Sequence, residues 1–408
     1  MEIKDYIAPM YEREELINRL AVNPEYDNSI HNASVAERLM ALSDLYSLYI
    51  PTDMTVEIYY KLYVALIHSL SQKNTLTSTA QLYENQKAIK GQPYKGIIGG
   101  LDSFVITGIS GVGKSSAISR AINVIAPDSV IEIKLPYQKI IPFLVVQTPF
   151  DCSLKSLLLE ILRKVDELLD TKYLPNALRT RATTDVLIGK VSTVALNHIG
   201  TLILDEVQNV VSSKNGKTLV GSITQLINTS GISIVFAGTN AVIPFLQADF
   251  MLARRMMNLQ YNPLNYDQKF YEVCRTIWNY QYTNNRCELT DEIVGWLYNH
   301  SQGNISVIIS LTHDAQELAI LNGQEVISIS ALELAYKQRL HPLHVYLQAQ
   351  ERCYSKPRKE VFSLPIDRDL NEMDEHLFFD IVTRAKVLKA NVVDMLGQYV
   401  AIEEVEVP

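Results

Sequence analysis

The chain has 408 residues, a formal net charge of −8, and 47% hydrophobic and 20% charged residues. That length suits two or three domains, and the balance is that of an ordinary soluble globular protein. The acidic excess excludes a protein that is basic overall, so any nucleic-acid surface has to be local. No apolar run reaches 18 residues, and Met1-Glu2-Ile3-Lys4-Asp5 does not read as a signal peptide. The expectation is therefore a cytoplasmic protein with no membrane contact. Cys152, Cys274, Cys287 and Cys353 are widely spaced with no C-x-x-C pair, which fits reduced thiols rather than a metal site or a disulfide framework.

Residues 1–95 read as a helical region. Ser34-Val35-Ala36-Glu37 is a capping-box pattern, and apolar Leu39, Leu42, Tyr46 and Tyr49 carry a helical spacing as far as Pro51. A second helix is expected over Val56–Leu70, rich in Tyr59, Tyr60 and Tyr63. That aromatic stripe suits core packing, with a partner-binding module as the alternative. Gly91 and the Gly96–Gly100 stretch mark a junction.

Residues 96–262 alternate strand and helix. Ser103–Thr107 is strand-like and runs into Gly108-Ile109-Ser110-Gly111-Val112-Gly113-Lys114-Ser115, after which Ser115–Val124 reads as a helix. This is a complete phosphate-binding loop. Small residues let successive backbone N–H groups curl round phosphates, and the N-terminus of the next helix, with Ser116, faces the same anion. Lys114 would reach the β- and γ-phosphates of ATP, and the Ser115 hydroxyl would ligate Mg²⁺. Further β-runs fall at Phe143–Gln147, Thr201–Leu204, Ile232–Ala237 and Asn258–Tyr261, with helices over Ser153–Leu169 and Leu219–Thr229. The alternation predicts an α/β fold, a parallel sheet sandwiched by helices, with ligands at the C-terminal strand ends.

Those ends carry the remaining chemistry. The run at 201–204 ends in Asp205-Glu206, a Walker B pattern: Asp205 would hold Mg²⁺ and Glu206 would polarise the attacking water. The next run ends in Gly238-Thr239-Asn240, where Thr239 or Asn240 could touch the γ-phosphate or the water; a Gly turn with Asn as a helix cap is the plain alternative. Arg254-Arg255 could reach across a subunit interface as arginine fingers, or lie solvated on the surface. Residues 263–345 return to amphipathic helices over Phe270–Tyr282, Glu288–Ser301 and Asn304–Asn322, suiting a lid. A phosphate-sensing arginine is expected near the start of the last of these, and Gly303-Asn304-Ile305-Ser306 offers none. Residues 346–408 form a C-terminal extension of mixed charge, ending acidic, that could serve as a tail for a partner.

Phosphate loop, D-E strand end, G-T-N and double arginine together resemble an AAA+ ATPase. More particularly the chain resembles the TnsC/TniB family of transposition regulators. The resemblance rests on Pro149-Phe150-Asp151-Cys152-Ser153-Leu154-Lys155, Leu204-Asp205-Glu206-Val207-Gln208, Asp249-Phe250 through Arg254-Arg255, Trp278–Thr283 and Leu297–Gly303. It implies an AAA+ P-loop NTPase fold with an N-terminal helical region and a helical lid, and an ATPase that uses Mg²⁺. It further implies a ring or helical filament on double-stranded DNA, linking a TniQ/TnsD-type target selector to TnsA/TnsB-type transposase subunits. DNA contacts would then come from local positive charge: Lys155, Arg179 and Arg181, with Lys214 and Lys217 as weaker choices. An Orc-like initiator, a helicase loader or a nucleotide-gated signalling switch are the other classes the motifs allow.

Overall fold

Buried apolar runs alternating with amphipathic segments resolve, in a computed structural model, into a six-stranded sheet covered by helices. The structure describes residues 6–71, 83–84, 87, 102–134, 137–148, 153–211, 226, 232–247 and 256–340. The chain divides into two units, Met1–Glu351 and Arg352–Pro408. All described residues belong to the first; the C-terminal extension, the 96–100 junction and, apart from Leu226, the helix expected over Leu219–Thr229 lie outside them.

Strands β1 (Phe104–Gly108), β4 (Ile199–Asp205) and β5 (Ser233–Gly238) are buried along their whole length, as central strands covered on both faces must be. With β2 (Ile131–Lys134), β3 (Tyr137–Gln147) and β6 (Met257–Tyr261) they form a sheet of order β2-β3-β4-β5-β1-β6. Every neighbouring pair is parallel except β2 with β3. The wholly parallel sheet expected from the alternation therefore gains one antiparallel edge. A four-residue strand on a hairpin is too short to leave a periodic signal. The order matters for the site: β5 is inserted between β1 and β4, so the C-terminal ends of three strands meet on one edge.

One face of the sheet is covered by α1 (Arg13–Leu20), α3 (Asp53–Ser71) and α4 (Lys114–Ile125), whose Leu16, Leu20, Ile58, Tyr59, Leu62 and Ala117 join Ile106, Ile203 and Val235 in one core. The other face is covered by α5 (Leu154–Leu169), α6 (Tyr173–Arg179) and α7 (Thr184–His198). The tyrosine stripe of α3 works inward. Tyr59 is buried and its hydroxyl accepts from the Tyr11 N–H at 3.1 Å, while the Tyr60 and Tyr63 hydroxyls donate to the Tyr11 and Ala8 carbonyls at 3.2 and 3.1 Å. These phenols strap residues 8–11 onto α3, which in turn covers the sheet.

A third core is built by the lid helices α10 (Gln268–Trp278), α11 (Asp291–Ser301), α12 (Ile305–Leu321) and α13 (Ile329–Ala335). It also takes in Leu42, Leu45 and Leu48 from the N-terminal region. The capping box forms as read: Ser34 caps α2 (Val35–Ala41), and the Glu37 carboxylate accepts from the Ser34 N–H at 2.9 Å. The helix expected to continue to Tyr49 does not. It gives way at Leu42–Ser47 to a 3₁₀ turn, and Tyr49 pairs instead with Val22 in an isolated bridge. The buried leucines explain this: 42, 45 and 48 repeat every three residues, the 3₁₀ period, rather than every 3.6.

Arg38, on α2, is only 2% exposed and makes a bidentate pair with Glu325 beyond α12, at 2.5 and 2.8 Å. It also donates to the Tyr282 carbonyl at 3.3 Å. The Trp278–Thr283 stretch is held from within by Gln316, which accepts from the Tyr282 N–H at 2.7 Å and donates to the Tyr280 carbonyl at 3.1 Å. The N-terminal helices thus fasten both to the sheet and to the lid. The Arg38 guanidinium holds the Glu325 carboxyl below its usual range, against the opposing effect of burial. A depressed carboxylate contributes stability that is present above the ordinary glutamate range and lost as pH falls through the lowered value. Arg38→Ala leaves the half-buried Glu325 carboxylate without its cation and empties a buried site, and is expected to cost about 3 kcal/mol at neutral pH. Urea denaturation across a pH series checks this: the deficit should shrink on acidification, and a pH-independent deficit would point to packing instead.

Candidate nucleotide site

Gly108 ends β1 and the chain turns through Ile109, Ser110, Gly111, Val112 and Gly113 into α4. Gly111 and Gly113 have φ of 82° and 95°, conformations that L side chains rarely adopt. A Cβ on Gly111 would also lie 2.7 Å from the Asn304 amide nitrogen. The turn leaves the first N–H groups of α4 unpaired and facing the same side, an anion site by construction. Lys114 is 9% exposed, and its ammonium donates to the Gly108 and Ile109 carbonyls at 3.0 and 2.8 Å. Burial pushes this ammonium below its ordinary value, while nearby Glu206 and Asp205 push back. Both acids therefore sit within electrostatic reach of the loop.

The Ser115 hydroxyl donates to Asp205 Oδ2 at 2.6 Å. The two residues read from sequence as Mg²⁺ ligands are thus side by side, although 90 positions separate them. A hydroxyl oxygen and a carboxylate are the hard oxygen donors that Mg²⁺ takes, with waters and phosphate oxygens filling the rest of its shell. Asp205 is buried and its other oxygen accepts from the Glu206 N–H at 2.9 Å. Glu206 is exposed and has φ of 57°, so the chain kinks immediately after β4 and turns this carboxylate out of the strand direction.

Between these two strand ends lies the end of β5. Thr239 and Asn240 follow Gly238 there, and the Thr239 N–H donates to Gln208 Oε1 at 3.1 Å. Asn240 Oδ1 is buried with no hydrogen-bond partner. A buried unpartnered polar atom has to be accounted for. Because the oxygen and nitrogen of an amide interchange by a simple flip, this group offers a donor to phosphate or an acceptor to water. Serines 115 and 116 are exposed on the first turn of α4.

A cavity of about 740 Å³ adjoins the loop, lined among others by Gly111, Gly113, Ser115, Tyr49, Arg120 and Ile305. It is of a size to take a nucleotide. The loop, the Ser115–Asp205 pair and this cavity together fit ATP with Mg²⁺: residues 108–116 for the phosphates, Ser115 and Asp205 for the metal. Several residues that line the cavity carry no local sequence signal for it. The Tyr46–Thr52 strip enters the site because the 3₁₀ turn redirects it, and Ile305 and Ser306 arrive with the lid. The Arg120 guanidinium lies 5.6 Å from the centre of the Tyr49 ring, within cation–π range, and burial raises the Tyr49 phenol to about 12.

The lid meets the loop without an arginine. Asn304 is 3% exposed; its Nδ2 donates to the Ser110 carbonyl at 3.3 Å, while its Oδ1 accepts from the Ser306 N–H at 3.1 Å and so caps α12. Arg254 and Arg255 lie outside the described residues, as do Lys214, Lys217 and Pro149–Cys152. Lys155, Arg179 and Arg181 all fall on the crossover between β3 and β4, and all are exposed. Asn304→Asp keeps the cap acceptor but removes the donor to Ser110 and adds a negative charge beside the loop. It is expected to leave thermal stability near wild type and to weaken binding of a fluorescent ATP analogue about tenfold, the loss of one charge-sensitive contact. Equal affinity for the analogue would show that the lid contact does not bear on the loop.

No described helix is long and apolar enough to cross a membrane. No curated protein matches the chain. Among solved structures it is similar to the ORC1 protein of Aeropyrum pernix, determined in complex with DNA (13% identity, 80% of this chain and 77% of that one, TM-score 0.40). It is similar also to Cdc6p of Pyrobaculum aerophilum (14% identity, 76% and 74%, TM-score 0.42) and to a Walker-type ATPase of Pyrococcus abyssi (14% identity, 67% and 75%, TM-score 0.39). Likeness at that level adds no functional argument. Residues 97–265 match the family model described as bacterial TniB protein, a stretch that contains all six strands. The similarity to bacterial TniB protein thus covers the sheet-bearing portion of the chain, where the phosphate loop and the Ser115–Asp205 pair lie.

Proposed function

We propose that the chain is an ATP-hydrolysing, DNA-binding regulator of DNA transposition that assembles on duplex DNA and links a target selector to a transposase. The single observation that carries the ATPase reading is the Ser115–Asp205 contact at 2.6 Å, with Glu206 next in the chain and Thr239–Asn240 on the strand between. In this reading the loop N–H groups and Lys114 hold the phosphates, Ser115 and Asp205 hold the metal, and Glu206 takes the proton of the attacking water. Thr239 and Asn240 orient that water or the γ-phosphate. When bound, Mg²⁺ and ATP supply a polarised phosphoryl group for water to attack. The match of residues 97–265 to TniB supports transposition as the setting, and we place the protein in the cytoplasm.

Assembly belongs to the same proposal. Arg254 and Arg255 act as fingers into a neighbour's site, so the γ-phosphate bridges subunits in a ring or filament, and hydrolysis releases the bridge. Residues 1–95 and 346–408 are the regions proposed for contacts with a TniQ/TnsD-type selector and TnsA/TnsB-type transposase subunits. Residues 96–262 hold the nucleotide and 263–345 close over it. Glu206→Gln is expected to bind ATP normally and hydrolyse it at least a hundredfold more slowly, the scale of a lost general base, while Lys114→Ala loses binding itself. Paired ATPase and nucleotide-titration assays check both; wild-type turnover in Glu206→Gln would sink the base assignment.

The duplex contact has its own test. Lys155, Arg179 and Arg181 together would release about three counterions, so neutralising all three should lower the slope of log affinity against log salt by about 2.7. Fluorescence anisotropy with random duplex across a salt series measures the slope. An unchanged slope in the triple variant would remove these residues, and assembly with ATP that ignores duplex altogether would favour a signalling switch.

A further inference from the structure

Glu206 is exposed, so its backbone alone does not fix where its carboxylate points. The backbone around it is well held. Its N–H donates to Asp205 Oδ1 at 2.9 Å, the Val207 N–H donates to the Ala237 carbonyl at 3.1 Å, and the Asn209 N–H donates back to the Glu206 carbonyl at 3.0 Å. Asn209 Nδ2 then ties the start of α8 (Gln208–Val211) to the Thr148 carbonyl at the end of β3, at 2.9 Å. What remains is the side chain itself, and one group holds it: Gln208 Nε2 donates to Glu206 Oε2. Residues two apart on a helix do not face each other. The left-handed φ of 57° at Glu206 is what turns the two side chains together.

The other end of the same amide reaches a different strand. Gln208 Oε1 accepts from the Thr239 N–H at 3.1 Å, just past β5. It occupies the space a side chain on Gly238 would need, since a Cβ there would lie 2.6 Å from this oxygen. A primary amide is suited to the task because it donates from one atom and accepts at the other. A glutamate would keep the acceptor and lose the donor, and an alanine would lose both.

We infer that Gln208 is a positioning residue for the Glu206 carboxylate, linking it to the Thr239 backbone so that the base and the Thr239–Asn240 segment keep a fixed relation. The inference rests on the reading of Glu206 as general base. It gives this chain a route by which a shift of the β5 end, where Asn240 Oδ1 waits unpartnered, is passed to the base through one side chain. It also assigns a role to the glutamine two residues after the Walker B acid.

The test uses Gln208→Ala and Gln208→Glu in the full chain, with two readouts. Gln208→Ala should lower kcat about tenfold, the lower part of the range for acid–base assistance, with affinity for a fluorescent ATP analogue within about twofold of wild type. In nucleotide-free protein, hydrogen exchange in the peptide carrying Thr239 should speed up in Gln208→Ala. In Gln208→Glu exchange should stay slow because the acceptor for Thr239 is kept, while kcat falls at least as far because the donor to Glu206 is replaced by a repelling carboxylate. Slow exchange in the alanine variant, or turnover at or above wild type in either, would overturn the inference. Glu206→Gln run alongside separates the two levels. If it turns over normally the base reading itself fails; if it is inactive while both Gln208 variants are normal, only the role of Gln208 fails.

Discussion

The arrangement depends on a contact between two strand ends that do not touch in the sheet. Ser115 follows β1 and Asp205 closes β4, yet β5 lies between those strands. Adjacent strands are about 4.8 Å apart, so strands separated by one neighbour are nearly 10 Å apart. A 2.6 Å hydrogen bond across that gap requires the loop to lean over the end of β5, and the left-handed turns at Gly111 and Gly113 permit it. The consequence is geometric. Whatever follows β5 emerges between the two strand ends that make this contact, so Gly238, Thr239 and Asn240 stand at the site by topology, before any side chain is considered.

The N-terminal region is bound into this arrangement from two sides. Through α3, which shares a core with α4, and through the Ala8 N–H on the Ile125 carbonyl at 3.2 Å it is tied to the helix that follows the loop, and through Arg38 and the 42–45–48 leucines it belongs to the lid core. The lid returns to the loop through Asn304. Loop, lid and N-terminal strip therefore form a closed circuit of packed contacts around one cavity. A buried ion pair such as Arg38–Glu325 adds little over an apolar pair of the same shape, but breaking it is costly. Its effect is to fix which way α2 docks, and hence where Tyr46–Thr52 meets the cavity.

Much of the site was legible because its chemistry is local in sequence. A loop of fixed spacing, Gly108 to Ser115, carries its own anion site, and an apolar run ending in Asp205-Glu206 places two acids at a strand end whatever the fold around it. The central strands were legible because burial on both faces leaves an unbroken apolar run. The antiparallel edge β2 and helices α6 and α7 were not, being short or uniformly apolar, and period alone does not separate those cases. The 3₁₀ turn was misread as helix because Leu42, Tyr46 and Tyr49 satisfy an i, i+3, i+4 pattern, whereas burial follows Leu42, Leu45 and Leu48. Nothing local could reveal Asn304 on Ser110 or Gln208 on Thr239, since both contacts exist only once distant elements are assembled.

The absence of an arginine at the lid's point of entry has an electrostatic consequence. Among the described residues that line the loop cavity Arg120 is the one cation, and Lys114 lies within the loop itself. Asp205 and Glu206 stand against them at the same edge. A triphosphate carries several negative charges, and even with Mg²⁺ the balance among the described residues is short of the positive charge that a phosphoryl transition state draws on. A neutral amide at Asn304 can position the loop but supplies no such charge. The deficit is what makes a further cation valuable at this site. The proposal that Arg254 and Arg255 serve a neighbouring subunit follows from that balance as much as from their place in the sequence. On that proposal, a site whose charge a neighbour completes would be slow alone and fast in an assembly.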